Sequence, residues 1–450
     1  MKMSGWLWRL AKRVARREID KRFDYSFDDL DLGNLKGPLF IVTNHVCAWD
    51  PFMVVMAFHD RQIAFVASEH ILRMPRIGKF VEKHTDVIPH KKAGGGTRST
   101  IECLKRLKNS ESIVIASEGE QTWDGISGSV VASTGKLLKK SGASIVTLRF
   151  EGGYLAKPRW ADNVRRGKVH LKYVNTYTAD DVAKMTPEEI KENINRDLYF
   201  NIWEWQRKAE RDSAGDGSAA DGGGEPRDAE GMHRYIPKSG GLADGIERLL
   251  FMCPSCKKIG KLTSRGDELF CECGFKTAVL DTGFFSSAEP FETIAEWNAW
   301  QEGELKALLV SEESGLSDEV VCVADGESLW CAGVFGDSGA TLVEVKNGHD
   351  ERIVASGRLA LIRSGEELYI RVGDAQVGAV DGSVGGDAGC KEDGACFALS
   401  GIEHMTMILY NRIVFSSNDV YYEIRPDDMK GRMNLRKYIV AWKLRGGREE

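Results

Sequence analysis

At 450 residues the chain is too long for one ordinary domain; at roughly 100–200 residues each, two to four are expected. Its 42% apolar and 28% charged residues are a globular composition, which excludes a wholly disordered or fibrous chain. A formal net charge of −6 argues against a nucleic-acid-coating role, so no nucleic-acid partner is expected. The charge is uneven: residues 1–22 carry eight Lys/Arg against Glu18 and Asp20, a net of +6, so the remainder sums to −12.

No stretch approaches the roughly 20 apolar residues of a bilayer-spanning helix. The basic N-terminus lacks the apolar core and small-residue cleavage site of a signal peptide. Ten cysteines are too few for a disulfide scaffold of this length, and four have metal-ligand spacing, so a reducing cytoplasm is expected.

Residues 3–22, within a first unit 1–24, read as an amphipathic helix. Met3, Leu7, Leu10 and Val14 recur at helical spacing beside Trp6, and Arg9, Lys12, Arg13 and Arg16 crowd the other side. That pattern suits the inner face of a membrane with anionic lipids; a surface helix docked on its own domain is the rival reading. Residues 25–210 alternate strand and helix. Strands are expected at Pro38–Thr43, Gln62–Ala67, Ser112–Ser117, Ser144–Phe150 and Val169–Tyr177, and helices at Phe52–Phe58, Thr97–Leu107 and Val130–Lys140. This is an α/β domain with a largely buried sheet. Thr186-Pro187-Glu188-Glu189 opens a helix expected to run unbroken to about Glu210.

The Gly/Ala/Ser/Asp-rich run after 210 marks a linker, 211–248. A cysteine module follows at 249–283. Cys253-x2-Cys256 and Cys271-x-Cys273 resemble a zinc ribbon, with four thiolates closing one structural zinc site. Cys322, Cys331, Cys390 and Cys396 lack ligand spacing and read as free structural thiols. Residues 284–305 read as a helical connector, with a helix expected at Pro290–Leu309. Residues 306–450 form a mostly-β accessory domain. Its strands are expected at Val320–Val323, Ser328–Val334, Thr341–Val345, Arg358–Ile362, Leu368–Val372, Met405–Leu409, Ile413–Ser416 and Val420–Ile424, closed by a helix at Asn434–Leu444. This looks like a pleckstrin-homology-type barrel, which binds lipid headgroups or protein.

The chemistry concentrates where a buried strand ends, at Asn44-His45-x4-Asp50-Pro51. In α/β sheets that edge takes ligands. A carboxylate on one imidazole nitrogen fixes the tautomer and leaves the other as a general base. The bland reading is equally concrete: Asp50 before Pro51 is a helix N-cap followed by a first-turn proline. Cys47, inside the loop, reads as a small buried hydrophobe rather than a nucleophile.

A buried strand ending in Asn-His-x4-Asp-Pro, a second ending in Glu118-Gly119, and a third followed by Glu151-Gly152-Gly153 and Pro158-Arg159 resemble the glycerolipid acyltransferase family, over about residues 36–175. The resemblance implies an α/β acyltransferase domain, a mixed sheet flanked by helices. It implies acyl transfer from an acyl thioester, carried on coenzyme A or acyl carrier protein, to a hydroxyl of a lysophospholipid-type acceptor, without organic cofactor. His45 would be the base and Asp50 its orienting carboxylate; Asn44, Glu118 and Gly119 would line the acceptor site. Two positions depart from the family. His90, followed by Lys91 and Lys92, stands where the second block has an arginine for the acceptor phosphate, and Gln121 stands where the third block has arginine. Bidentate guanidinium recognition is lost at both, which opens two other readings: a non-phosphorylated acceptor such as an aminolipid, or a catalytically silent lipid-binding adaptor.

Overall fold

The computed structural model describes residues 5–30, 37–58, 63–73, 78, 86–91, 96–215, 240–310, 331–346, 350–364, 366–373, 394–428 and 432–446. The expectations for Met3, Lys92, Val320–Val323, Cys322 and Cys390, and for the side chains of Trp6, Leu7, Leu10 and Cys331, lie outside the described residues.

The first unit is organised around β2 (Leu39–Thr43), buried at all five positions. Its apolar run has no polar alternation because both faces are covered. Leu39 and Ile41 face one core layer, and Phe40 and Val42 the other. Around it stand β1 (Asp24–Phe27), β3 (Ile63–Ser68), β4 (Val87–His90), β5 (Ser112–Ala116), β6 (Ser144–Glu151) and β7 (Lys168–Tyr177). The order is β1-β7-β6-β2-β5-β3-β4. Only the β6–β7 pair is antiparallel, so the sheet is mixed. Thr43 pairs with Ala116 of β5 and Leu148 of β6, so the chain leaves all three central strands at one edge.

The helices are α1 (Gly5–Arg22), α2 (Asp50–Ala57), α3 (Glu69–Arg73), α4 (Thr97–Lys108), α5 (Ala132–Ser141), α6 (Gly153–Ala156), α7 (Ala179–Lys184), α8 (Pro187–Leu198) and α9 (Ile202–Gly215). Thr186 caps α8 in a reciprocal box with Glu189. The expected single helix to Glu210 is two: α8 ends at Leu198, and Asn201 starts α9 by accepting from Trp203 N. α1 is docked through Ile19, with Phe23 just past its end also in the core, whereas Val14 is 54% exposed. The helix is therefore docked on its own domain at its C-terminal end.

The expected linker is shorter than 211–248. α9 continues to Gly215, and Leu242, Ala243 and Ile246 are buried in the first unit's core. The cysteine module, with β8 (Leu262–Arg265), β9 (Glu268–Cys271) and β10 (Lys276–Ala278), shares that core through Leu250, Cys253, Leu262, Leu269 and Cys271. α10 (Ile294–Val310) follows.

The C-terminal unit is one antiparallel sheet of β11 (Cys331–Lys346), β12 (Asp350–Ser364), β13 (Glu367–Gly373), β14 (Gly394–Ala398), β15 (His404–Ile408), β16 (Arg412–Ser417) and β17 (Val420–Pro426). Its order is β14-β13-β12-β11-β17-β16-β15. The described part of the strand expected at Ser328–Val334, from Cys331 on, and the strand expected at Thr341–Val345 are one long β11 carried across its glycines by register shifts; residues 328–330 lie outside the described residues. β14 had no sequence counterpart, and its Cys396 is disulfide-bonded rather than a free thiol. α11 (Arg436–Leu444) closes the sheet with Tyr438, Ile439 and Trp442 in its core.

Candidate active site

Three loops meet at the sheet edge: Asn44–Trp49 after β2, Ser117–Val131 after β5, and Gly152-Gly153 after β6. The first packs so closely on the third that a Cβ on Gly153 would lie 2.6 Å from Val46 Cγ2. Only glycine admits that approach.

His45 Nδ1 lies 2.8 Å from Asp50 Oδ2. The carboxylate is 2% exposed and accepts from Val46 N at 2.7 Å, from Cys47 N at 3.0 Å, and on its other oxygen from the Cys47 thiol at 3.1 Å. Asp50 opens α2 but does not cap it; its side chain turns back into the loop, so the N-cap reading fails. With Asp50 accepting, Nδ1 is the protonated nitrogen, and Nε2 has no protein partner among the described residues. The His45 side chain is 22% exposed, so Nε2 is reachable. Burial, and then the charge of Asp50, push the Cys47 thiol well above its ordinary range, which removes it as a nucleophile.

Two residues expected to contact acceptor do other work. Asn44 is fully buried and uses both ends of its amide on Phe150, Nδ2 donating to the carbonyl at 3.1 Å and Oδ1 accepting from the N–H at 2.7 Å. It ties β2 to β6 and is spent there. Glu118 accepts from His45 N at 3.1 Å and Gly128 N at 2.7 Å, so it holds the histidine's backbone. Burial outweighs those two donors and pushes its carboxyl up to about 8. Gly119 is exposed in the left-handed region, at φ 74°, where glycine is favoured. Gln121 follows, half-buried, one residue before Thr122, whose N–H donates to His45 O at 3.0 Å.

His90 and Lys91 are not brought to His45. β4 is three strands from β2, about 14 Å along the sheet. His90 Nδ1 meets Ser99 Oγ at 2.9 Å, and Lys91 Nζ sits 5.4 Å from the ring centre of Tyr421 on β17. The sequence reading missed Glu120, Trp123 and Arg159, which face the C-terminal sheet. The run Pro158-Arg159-Trp160 was visible, but nothing local says what Arg159 grips.

In the cysteine module all four sulfurs lie within 4.8 Å of one another, with Cys253–Cys273 and Cys256–Cys271 both at 3.7 Å. Four thiolates on one tetrahedral zinc stand about 3.8 Å apart, so the donor set fits such an ion.

The sequence model of the Acyltransferase family matches residues 20–151, the stretch that holds β1 to β6 and both ends of the His45–Asp50 pair. Residues 20–151 are therefore an acyltransferase domain. Among solved structures the chain is similar to the 1-acyl-sn-glycerophosphate (LPA) acyltransferase PlsC of Thermotoga maritima, at 18% identity and a TM-score of 0.35, over 42% of this chain and 75% of that one. No curated protein matches the chain.

Proposed function

We propose that the chain transfers a fatty acyl group from an acyl thioester, on coenzyme A or acyl carrier protein, to a hydroxyl of a lysophospholipid-type acceptor. The observation that carries this is the 2.8 Å His45–Asp50 contact with Nε2 left reachable, inside an acyltransferase domain. His45 Nε2 takes the acceptor's hydroxyl proton as its oxygen attacks the thioester carbonyl carbon. The carbon–sulfur bond breaks, and the departing sulfur receives that proton back from His45. Asp50 keeps the proton on Nδ1 and stabilises the imidazolium between the two transfers. A thioester has a good leaving group, so positioning and deprotonating the alcohol is the main demand.

A non-phosphorylated acceptor, such as an aminolipid, is the second reading. It is favoured by Gln121, on the loop that grips His45, an amide at the position where the family resemblance expects an arginine. In the cysteine module we assign zinc, in a ribbon that braces the domain; the 3.7 Å sulfur pairs support it. The strand order and closing helix of the C-terminal unit support a pleckstrin-homology-type reading. Arg13, Arg16, Arg17, Lys21 and Arg166 line one open groove together with a single carboxylate, Asp20, which pairs with Arg16 at 2.8 Å, and Val14 is exposed on the same helix. These support peripheral attachment to the cytoplasmic face of an anionic membrane; among the described residues no helix is long and apolar enough to cross one.

The test is purified protein with acyl-CoA and acyl carrier donors against lysophospholipids and aminolipids, products read by mass spectrometry. Transfer should occur and should vanish in His45→Ala with the unfolding midpoint unchanged. Wild-type turnover by that variant would end the assignment, and inactivity of the wild type on every pair would favour the silent adaptor.

A further inference from the structure

The backbone of His45 is held from both sides by one loop. Its N–H donates to Glu118 Oε1 at 3.1 Å, and its carbonyl accepts from Thr122 N at 3.0 Å. Residues 119–121 arch between those two anchors. The middle of the arch is fixed from outside the acyltransferase domain. Thr406 Oγ1, on β15 of the C-terminal sheet, donates to Glu120 Oε1. Arg159 Nη1 donates to Glu120 Oε2 at 3.3 Å. The same guanidinium donates to the carbonyls of Leu409, at 2.7 Å, and Met407, at 3.0 Å, so it is itself clamped to that sheet. Beyond the arch, the Trp123 ring lies 4.3 Å from the Arg159 guanidinium and 5.7 Å from that of Arg436 on α11. Asp124 Oδ2 accepts from Asn298 Nδ2 on α10 at 2.9 Å.

We infer that Glu120 and Trp123 are positioning residues through which the docked C-terminal sheet sets the placement of His45, so that the accessory unit is part of the catalytic apparatus. Arg159 is 7% exposed and Glu120 half-buried, so these contacts are poorly screened and each is worth more than a surface pair. Losing them frees the arch, and the arch holds the one peptide unit from which the imidazole projects. A base displaced by a fraction of an ångström loses rate without losing substrate affinity. This rests on the reading of His45 as the base, and the experiment separates the two.

The experiment compares full-length wild type, Thr406→Val, Glu120→Ala, Glu120→Gln and a control, Ile353→Ser, at an outward position 68% exposed on β12. The first readout is hydrogen exchange of the peptide spanning residues 44–50, which needs no activity. Thr406→Val and Glu120→Ala should speed it roughly three- to ten-fold, Glu120→Gln should restore most of the protection, and the control should match wild type. The second readout is kinetic: kcat should fall about ten-fold or more in both variants, with KM for the thioester little changed. Thr406→Val is nearly isosteric and leaves Arg159 in place, so it reports even if Glu120→Ala unfolds. Unchanged exchange at 44–50 in Thr406→Val would overturn the coupling. Faster exchange with no acyl transfer by any form, wild type included, would uphold the coupling and refute the acyltransferase reading instead.

Discussion

Glu118 accepts the backbone N–H of His45 through one carboxylate oxygen, at 3.1 Å, and that of Gly128 through the other, at 2.7 Å. Its burial raises the carboxyl from an ordinary 4.5 to about 8. The folded chain therefore keeps a proton that the unfolded chain sheds, between about pH 4.5 and 8. The state that binds more protons loses ground as pH rises, so this group makes stability fall through that window and level off above it. Melting curves of wild type and Glu118→Gln across pH 5–8.5 should show a downward slope in wild type that is absent or much reduced in the variant. Parallel curves would mean that Glu118 is ionised throughout.

Asp50→Asn should cut kcat roughly 10²–10⁴-fold and also cost about 1–3 kcal/mol of stability. The carboxylate accepts from two N–H groups and the imidazole on its oxygens. An amide would turn its NH2 toward one of those donors and lose the bond that fixes the Nδ1 tautomer. His45→Ala, by contrast, removes a side chain that is partly exposed and bonded only to Asp50 among the described residues, so its stability cost should be small. Comparing unfolding midpoints with single-turnover rates for the two variants checks the contrast.

Much of this site was legible because its parts are local. The continuous apolar run Leu39–Thr43 could only be a strand covered on both faces, and Asn44–Asp50 had to follow at its end. The pairing of His45 with Asp50 needed only a short loop. What was not legible depends on groups brought together by folding. Asn44 looks like a site residue in sequence, yet it is spent on Phe150, 106 positions away. Glu118, read from the sequence as an acceptor contact, braces the His45 backbone, a role that only the fold reveals. Arg159 grips a sheet about 250 positions later, which no local pattern announces. The helix after Thr186 was read too long because 199–201 contain neither glycine nor proline; the break is made by Ile126 bridging to Asn201 and by Ser127 N donating to Phe200 O, both tertiary events.

Elemental analysis should find about one zinc per chain, since four thiolates make one site. The cysteine module contributes Cys253, Leu262, Leu269 and Cys271 to the core it shares with the acyltransferase domain. Removing the metal should therefore lower the unfolding midpoint of the whole protein, and Cys253→Ser with Cys256→Ser should do the same. A metal-free protein that melts like the native one would exclude the site.

Arg13→Glu with Arg17→Glu should release the protein from anionic vesicles. Both side chains are exposed and lie away from Ile19 and Phe23, which must stay to fill the core. Each cation near an anionic surface is worth about 1 kcal/mol, so two reversals should weaken binding on the order of 2–4 kcal/mol, and added salt should weaken wild-type binding in the same direction. Sedimentation with vesicles of graded anionic lipid content measures this. Equal sedimentation of variant and wild type at every composition would place membrane contact elsewhere.

Gln121→Arg should improve use of lysophosphatidic acid. A phosphomonoester carries close to two negative charges, and the two positions that the family resemblance matches to arginine hold His90 and Gln121 here. His90 is bonded to Ser99 and stands about 14 Å along the sheet from β2, too far to grip a phosphate next to a hydroxyl at His45. Gln121 is far nearer, on the loop whose next residue bonds to the His45 carbonyl at 3.0 Å. An arginine there would not be captured by Glu120, whose carboxylate is already held by Arg159 and Thr406. One charge-assisted contact is worth roughly 1.5–3 kcal/mol, about one to two orders of magnitude in affinity. KM for lysophosphatidic acid should fall by about that factor in the variant, while kcat and the KM of a non-phosphorylated acceptor stay level. Efficient use of lysophosphatidic acid by wild type, with no gain in the variant, would show that the phosphate is held from another part of the fold.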